Sequence, residues 1–156
     1  MSMWWSLHLR REAASVPLAR RFLLGTMETA GVDPDISYDL SVALSEACAN
    51  AVEHGGGRED SGYEQPRTDS GQYRVTAYLD GEKCRIEVAD SGPGFPVRRV
   101  LRPAAHPLPT AESGRGLGLI EQLADHVHFG NRPGRGAVVS FDKVLKWREG
   151  ALLMVS

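Results

Sequence analysis

The chain predicts a two-layer α/β sandwich, a mostly antiparallel sheet covered on one face by three helices. Three observations carry this. Two stretches near the N-terminus repeat apolar residues at helical spacing, two later runs alternate apolar and polar residues about a tight turn, and a further helix with two more strands closes the chain. A length of 156 residues with 42% hydrophobic content suits one domain spanning residues 1–156 with one core.

The first element is a short strand, Trp4-Trp5-Ser6-Leu7-His8-Leu9, stopped by Arg10 and Arg11. A helix follows over Ser15–Ala30, where Val16, Leu18, Ala19, Phe22, Leu23, Met27 and Ala30 form an apolar stripe and Gly31 terminates it. Asp33 is placed to cap a second helix with Pro34 at its first position. That helix runs to about His54, because Ile36, Leu40, Ala43, Leu44, Ala47 and Ala51 share one face before three glycines end it. His54 suits closure of the helix end.

Residues 55–71 are rich in Gly, Ser, charged residues and Pro, and read as a mobile surface loop. Strands are expected over Gln72–Leu79 and Lys83–Ala89, turned by Asp80-Gly81-Glu82. Between Gly92 and Gly116 five prolines and several glycines exclude regular structure over most of the segment. A third helix is expected from about Leu117 to His126, then strands near Val127–Phe129 and Ala137–Val144.

A formal net charge of −2 offers no positive field for nucleic acid or anionic lipid, and the pairs Arg10/Arg11, Arg20/Arg21 and Arg98/Arg99 are scattered. Cys48 and Cys84 lack metal or redox spacing and read as buried, reduced thiols. His106, His126 and His128 do not form a zinc set. No apolar run reaches the ~18 residues of a membrane span, so the expectation is a soluble cytoplasmic protein.

Three motifs carry chemistry. On the second helix Glu46 and Asn50 are one turn apart, within about 40° of each other beside the apolar stripe. An amide oxygen is a hard ligand for Mg²⁺, and a carboxylate one turn away can take a proton from an attacking hydroxyl. Two polar residues on a solvated helix flank give the same spacing. Asp90-Ser91-Gly92-Pro93-Gly94-Phe95 follows a strand, so its carboxylate can accept from an exocyclic amine while the glycines let a flat base approach. An ordinary strand-closing turn reads the same way. Gly114-Arg115-Gly116-Leu117-Gly118-Leu119 leads into a helix, where free backbone N–H groups and the helix dipole can cradle phosphate. It lacks the Lys-Ser/Thr of a Walker loop, and a glycine hinge is the alternative.

Read together and in this order, Glu-x-x-x-Asn, Asp-x-Gly-x-Gly and Gly-x-Gly-x-Gly resemble the nucleotide boxes of the gyrase, histidine-kinase and MutL superfamily, with its Bergerat ATP-binding fold. The run from Leu44 to Gly55 is most similar to the anti-sigma-factor serine/threonine kinases of the RsbW/SpoIIAB type, over essentially the whole chain to Val144. The resemblance implies ATP and Mg²⁺ as cofactors, Glu46 as catalytic base, Asn50 as Mg²⁺ ligand and Asp90 as adenine partner. It implies Gly92 and Gly94 as the turn beside the base, Gly114, Arg115, Gly116, Leu117 and Gly118 as the phosphate loop, and residues 95–113 as a lid that ATP orders. Implied partners are a sigma factor, a STAS-type anti-anti-sigma antagonist and a second copy of the chain, with neither nucleic acid nor membrane. A nucleotide-gated binding module without useful kinase activity is the alternative. Two features depart from the family pattern. Where it has Gly-Thr-Thr in the last strand, this chain has Gly136-Ala137-Val138-Val139, with Ser140 too far along to substitute, and the loop over 55–71 is long.

Overall fold

The computed structural model describes residues 2–54, 71–90, 111–132 and 136–149. In chain order the elements are β1 (Met3–Arg10), α1 (Ser15–Ala30), α2 (Pro34–His54), β2 (Gln72–Leu79), β3 (Lys83–Asp90), α3 (Ala111–Leu123), β4 (His126–Arg132) and β5 (Gly136–Val144). The sheet order is β1-β2-β3-β5-β4, and every neighbouring pair is antiparallel.

The caps expected at the α1–α2 junction are present. Gly31 takes the left-handed conformation at φ 90°, its N–H donates to Glu28 O, and the Val32 N–H donates to Met27 O at 3.0 Å. Glycine adopts this conformation without steric cost and so stops α1 cleanly. The Asp33 carboxylate then accepts the Asp35 N–H at 2.8 Å, satisfying one of the free donors that open α2. At the β2–β3 hairpin, Asp80 Oδ1 accepts from both Glu82 N and Lys83 N, at 2.8 and 2.9 Å. These backbone donors, Lys83 first, hold the Asp80 carboxyl below its ordinary value.

Strand alternation sends Tyr73, Val75, Ala77 and Leu79 of β2, Cys84, Ile86 and Val88 of β3, and Val139 and Phe141 of β5 into one core. From the helices, Ala19, Leu23 and Met27, then Ile36, Leu40, Ala43, Leu44, Ala47, Cys48 and Ala51, and finally Ile120 meet them. The apolar stripe expected on α1 is too wide, since Leu18 and Phe22 are exposed. Burial pushes the Cys48 thiol up to about 12 and raises the Cys84 thiol as well, so both are inert neutral groups.

The third helix departs from expectation. It begins at Ala111, six residues earlier than the glycine content suggests, and ends at Leu123, with His126 already in β4. Leu117, Ile120 and Leu123 recur on its core side, and Ile120 is fully buried, so tertiary burial outweighs the roughly 1 kcal/mol that each glycine costs in a helix. Gly114, Arg115, Gly116, Leu117 and Gly118 are therefore helical and do not form a loop, and residues 111–113 of the expected lid are its first turn. The rest of that lid, residues 95–110, and residues 55–70 of the expected surface loop lie outside the described residues. Gly71 is described, and its carbonyl accepts the Arg11 N–H at 2.7 Å.

Candidate nucleotide site

The site residues are brought together by the directions in which their elements run. At one end of the molecule Val32 bridges Trp147, Asp33 N donates to Lys146 O, and Leu145 N donates to Glu82 O. Both α2 and β3 start there. From Pro34 to Asn50 the helix rises about 24 Å, and from Lys83 to Asp90 the strand advances about 23 Å. Asn50 and Asp90 consequently stand at the same, opposite end. Both side chains lie at the margin of the core, Asn50 half-buried and Asp90 7% exposed.

The flank of α2 that carries Glu46 and Asn50 also carries Asp39, seven and eleven residues earlier. Asp39 Oδ2 lies 4.0 Å from Lys143 Nζ of β5, which donates to Leu123 O at the end of α3 at 2.8 Å. This flank therefore faces α3, and since α3 packs along α2 with its end at the Asp39 end of α2, the two run in opposite directions. Counting back from Leu123 to Gly114 is about 14 Å of helix, and counting forward from Asp39 to Asn50 about 16 Å. The glycine-bearing start of α3 thus lies level with Glu46 and Asn50. Gly92 and Gly94 lie outside the described residues.

Two local features fit a bound polar group. Asn50 Nδ2 is buried without a hydrogen-bond partner among the described residues. A buried donor left unpaired costs about 1–3 kcal/mol, which a ligand acceptor would recover. At Gly118 an added Cβ would meet nothing within 4 Å, and its φ is not positive. The helical conformation therefore does not itself require glycine at this position. The donor set also suits Mg²⁺, which keeps several waters and takes one or two protein oxygens alongside substrate phosphates. The Asn50 carboxamide supplies one such oxygen, with the Glu46 carboxylate one turn away, and no cluster of three or more His, Cys, Asp or Glu that could hold a different metal occurs among the described residues.

The β5 substitution has a definite position. In the β3–β5 ladder Ala89 pairs with Val138, so one step further the side chain beside Asp90 belongs to Ala137. Ala137 itself carries no hydroxyl. Ser140 pairs with Glu87 and His128 on the opposite face of the sheet, as its offset along the strand required. His126 is engaged by Asp142 at 2.9 Å.

Sequence reasoning missed a buried polar contact beneath the site. Tyr73, the Cα partner of Asp90, is 2% exposed, and its Oη lies 2.6 Å from Ser15 Oγ. The only sequence signal was Tyr73 falling in phase with Val75, Ala77 and Leu79.

Comparison with known proteins agrees with this architecture. The histidine kinase-like ATPase domain family matches residues 9–143. Serine-protein kinase RsbW of Bacillus licheniformis is 30% identical over 136 residues, covering 83% of this chain and 78% of that protein. The anti-sigma F factor of a Thermoanaerobacter species is 28% identical over 120 residues, covering 74% of this chain and 77% of that protein. Among solved structures, the RsbU and RsbW domains of a Mycobacterium tuberculosis protein superpose with a TM-score of 0.60 at 21% identity, a likeness of fold. That match covers 91% of this chain, which spans about a third of the longer one (33%). With the family matched over most of its length, on an antiparallel sheet covered by three helices, the chain belongs to the histidine kinase-like ATPases, among relatives named as anti-sigma factors and serine-protein kinases.

Proposed function

We propose that the chain binds Mg²⁺-ATP between α2, the end of β3 and the start of α3, and transfers the γ-phosphoryl group to a serine or threonine of a STAS-type antagonist while holding a sigma factor in alternation. The observation that carries this reading is the convergence of Glu46, Asn50 and Asp90 at one end of the molecule, level with the glycine-bearing start of α3, with Asn50 Nδ2 lacking a partner among the described residues. The names of the relatives support a serine or threonine acceptor and a sigma-factor partner.

In this reading Asp90 accepts a hydrogen bond from the adenine amine, and its burial excludes competing water. Asn50 offers its carboxamide oxygen to Mg²⁺, which when bound offsets the charge of the phosphates. Backbone N–H groups at the start of α3, around Gly114, Arg115, Gly116, Leu117 and Gly118, receive phosphate oxygens, with Gly92 and Gly94 forming the turn beside the base. Glu46 takes the proton of the attacking hydroxyl as its oxygen bonds to phosphorus and the bond to the departing ADP oxygen breaks.

A second reading, a nucleotide-gated binder without useful transfer, is favoured by Ala137 standing where a hydroxyl would support the base. The two are separated by incubating the protein with labelled ATP, Mg²⁺ and candidate antagonists. Label on a serine or threonine supports the kinase, whereas Mg²⁺-ATP and sigma-factor binding without transfer supports the gated binder. Absence of nucleotide binding refutes both.

Pairing of two copies belongs to the same proposal. It is supported by β1 lying at the sheet edge, with Trp4 67%, Leu18 53% and Phe22 45% exposed around a groove of about 650 Å³ between β1 and α1. Sedimentation of wild type and Trp4→Arg tests it, with a dimer expected only for wild type. No described helix is long and apolar enough to cross a membrane. The charge balance supports protein partners over nucleic acid, and location in the cytoplasm forms part of the proposal.

A further inference from the structure

Arg11 reaches α2 from the turn that leaves β1, and that turn is braced on two sides. The Arg11 N–H donates to Gly71 O at 2.7 Å, one step beyond the Arg10–Gln72 pair, so it prolongs the contact between β1 and β2. At the start of α1, Ser15 Oγ lies 2.6 Å from Tyr73 Oη and fixes the other side of the turn to β2. From this position the Arg11 side chain crosses to the helix, where Nε donates to Ala51 O at 3.3 Å.

Ala51 is a place where α2 needs a donor from outside. The helix ends at His54, and its last four carbonyls, beginning with Ala51, have no donor within a regular helix. A guanidinium supplies that donor and sets a permanent positive charge against the negative end of the helix dipole. The tie falls on the residue after Asn50, on the helix that also carries Glu46. The contacts that hold the beginning of α2 are Asp33 N to Lys146 O and Asp39 to Lys143. The nearer of these, at Asp39, is about 18 Å of helix away from Ala51. A helix anchored at its start and released at its end frays there first, and the end of α2 is the part that faces the ligand.

We infer that Arg11 is a positioning residue for the metal and phosphate end of the site: by holding the last turns of α2 to the edge formed by β1 and β2, it fixes where Glu46 and Asn50 stand relative to Asp90. The inference rests on the nucleotide reading above. It assigns Arg11 no contact with nucleotide or with the reacting atoms. Its effect falls on one half of the ligand, because Asp90 stays in the β2–β3 ladder whatever side chain stands at position 11. The backbone bond from Arg11 N to Gly71 O is also independent of that side chain.

The test compares adenosine, which engages only the base end, with Mg²⁺-ATP, which needs both. Arg11→Met keeps an apolar stem and loses donor and charge, whereas Arg11→Lys keeps a charged donor, and cooperative thermal melts verify that both variants fold. In the nucleotide-free protein, amide exchange at Val52 and Glu53 should quicken by about tenfold in Arg11→Met, with exchange in β3 unchanged. Adenosine affinity, read by ligand-observed NMR, should stay within about twofold of wild type, while Mg²⁺-ATP affinity should fall by about tenfold, a change of ~1.4 kcal/mol. Arg11→Lys should restore both exchange and Mg²⁺-ATP affinity to within about threefold of wild type, since it can still donate to Ala51 O. Equal weakening of the two ligands, no weakening of either, or a Lys variant as weak as Met would overturn the role of Arg11 and leave the site intact. Weaker Mg²⁺-ATP binding with unchanged exchange at the end of α2 would overturn it too, by pointing to direct contact with the nucleotide. Wild type that binds neither ligand would overturn the nucleotide reading itself, and the inference with it.

Discussion

Asn50 on α2 and Asp90 on β3 reach the same end of the molecule because their elements leave a common starting point and cover nearly the same distance, one by helical rise and the other by extended chain. Neither needs the other as a partner. What they share is a space between them, and the predictions below probe its walls.

Glu46→Gln should leave Mg²⁺-ATP affinity within about threefold of wild type and slow phosphoryl transfer by about 10²- to 10⁴-fold. The amide keeps the carboxylate's shape and cannot take the hydroxyl proton. Single-turnover transfer to a cognate antagonist measures this, and equal rates would remove Glu46 as the base.

Asn50→Leu should trade function for stability. Removing a buried Nδ2 donor that has no partner among the described residues should stabilise the nucleotide-free protein by about 1 kcal/mol. The same change should abolish the rise in melting temperature that Mg²⁺-ATP gives wild type. Thermal melts with and without Mg²⁺-ATP read both effects, and a retained ligand shift would show that Asn50 does not face the metal.

Gly118→Ala should raise the stability of the nucleotide-free protein by about 1 kcal/mol, since the added methyl meets open space in a helix. Mg²⁺-ATP binding should weaken at least tenfold if phosphate must approach the backbone there. Calorimetry showing unchanged affinity would move the phosphate end away from Gly118.

Ala137→Thr should place a hydroxyl beside Asp90 at the end of β5. One net hydrogen bond of about 0.5–1.5 kcal/mol would tighten adenine nucleotides by about 2- to 10-fold. Guanine nucleotides should gain less, and equal gains for both bases would argue against an adenine pocket at this place.

Asp80→Ala should destabilise the fold by about 1–2 kcal/mol at neutral pH, because two hairpin N–H donors lose their acceptor. The folded carboxyl is held below its ordinary value, so its contribution is full above the unfolded value of about 4 and fades as the pH falls through the folded one. Denaturant melts at pH 7 and pH 2.5 should therefore differ less for the variant than for wild type. An unchanged pH difference would exclude Asp80 as a source of acid sensitivity.

Much of the fold was legible because its signals are local. The end of α1 and the start of α2 follow from Gly31, Asp33 and Pro34, whose conformations are decided by immediate neighbours. The hairpin follows from Asp80 for the same reason. The third helix was misplaced because glycines report intrinsic propensity, and propensity lost to burial of Ile120 and its neighbours.

By itself the sequence determined which residues can do chemistry: a carboxylate and an amide one helical turn apart, an aspartate ending a strand, and glycines that admit close approach. Those are properties of side chains and short spacing. Only the tertiary structure decided that α2 turns its Glu46 flank towards α3, that Ala137 falls beside Asp90, and that Tyr73 meets Ser15. Each of these depends on sheet order and on the direction in which separate elements run, which are set by the burial of one shared core. A residue such as Tyr73 looks like any other apolar-phase strand position until the fold shows what its hydroxyl touches.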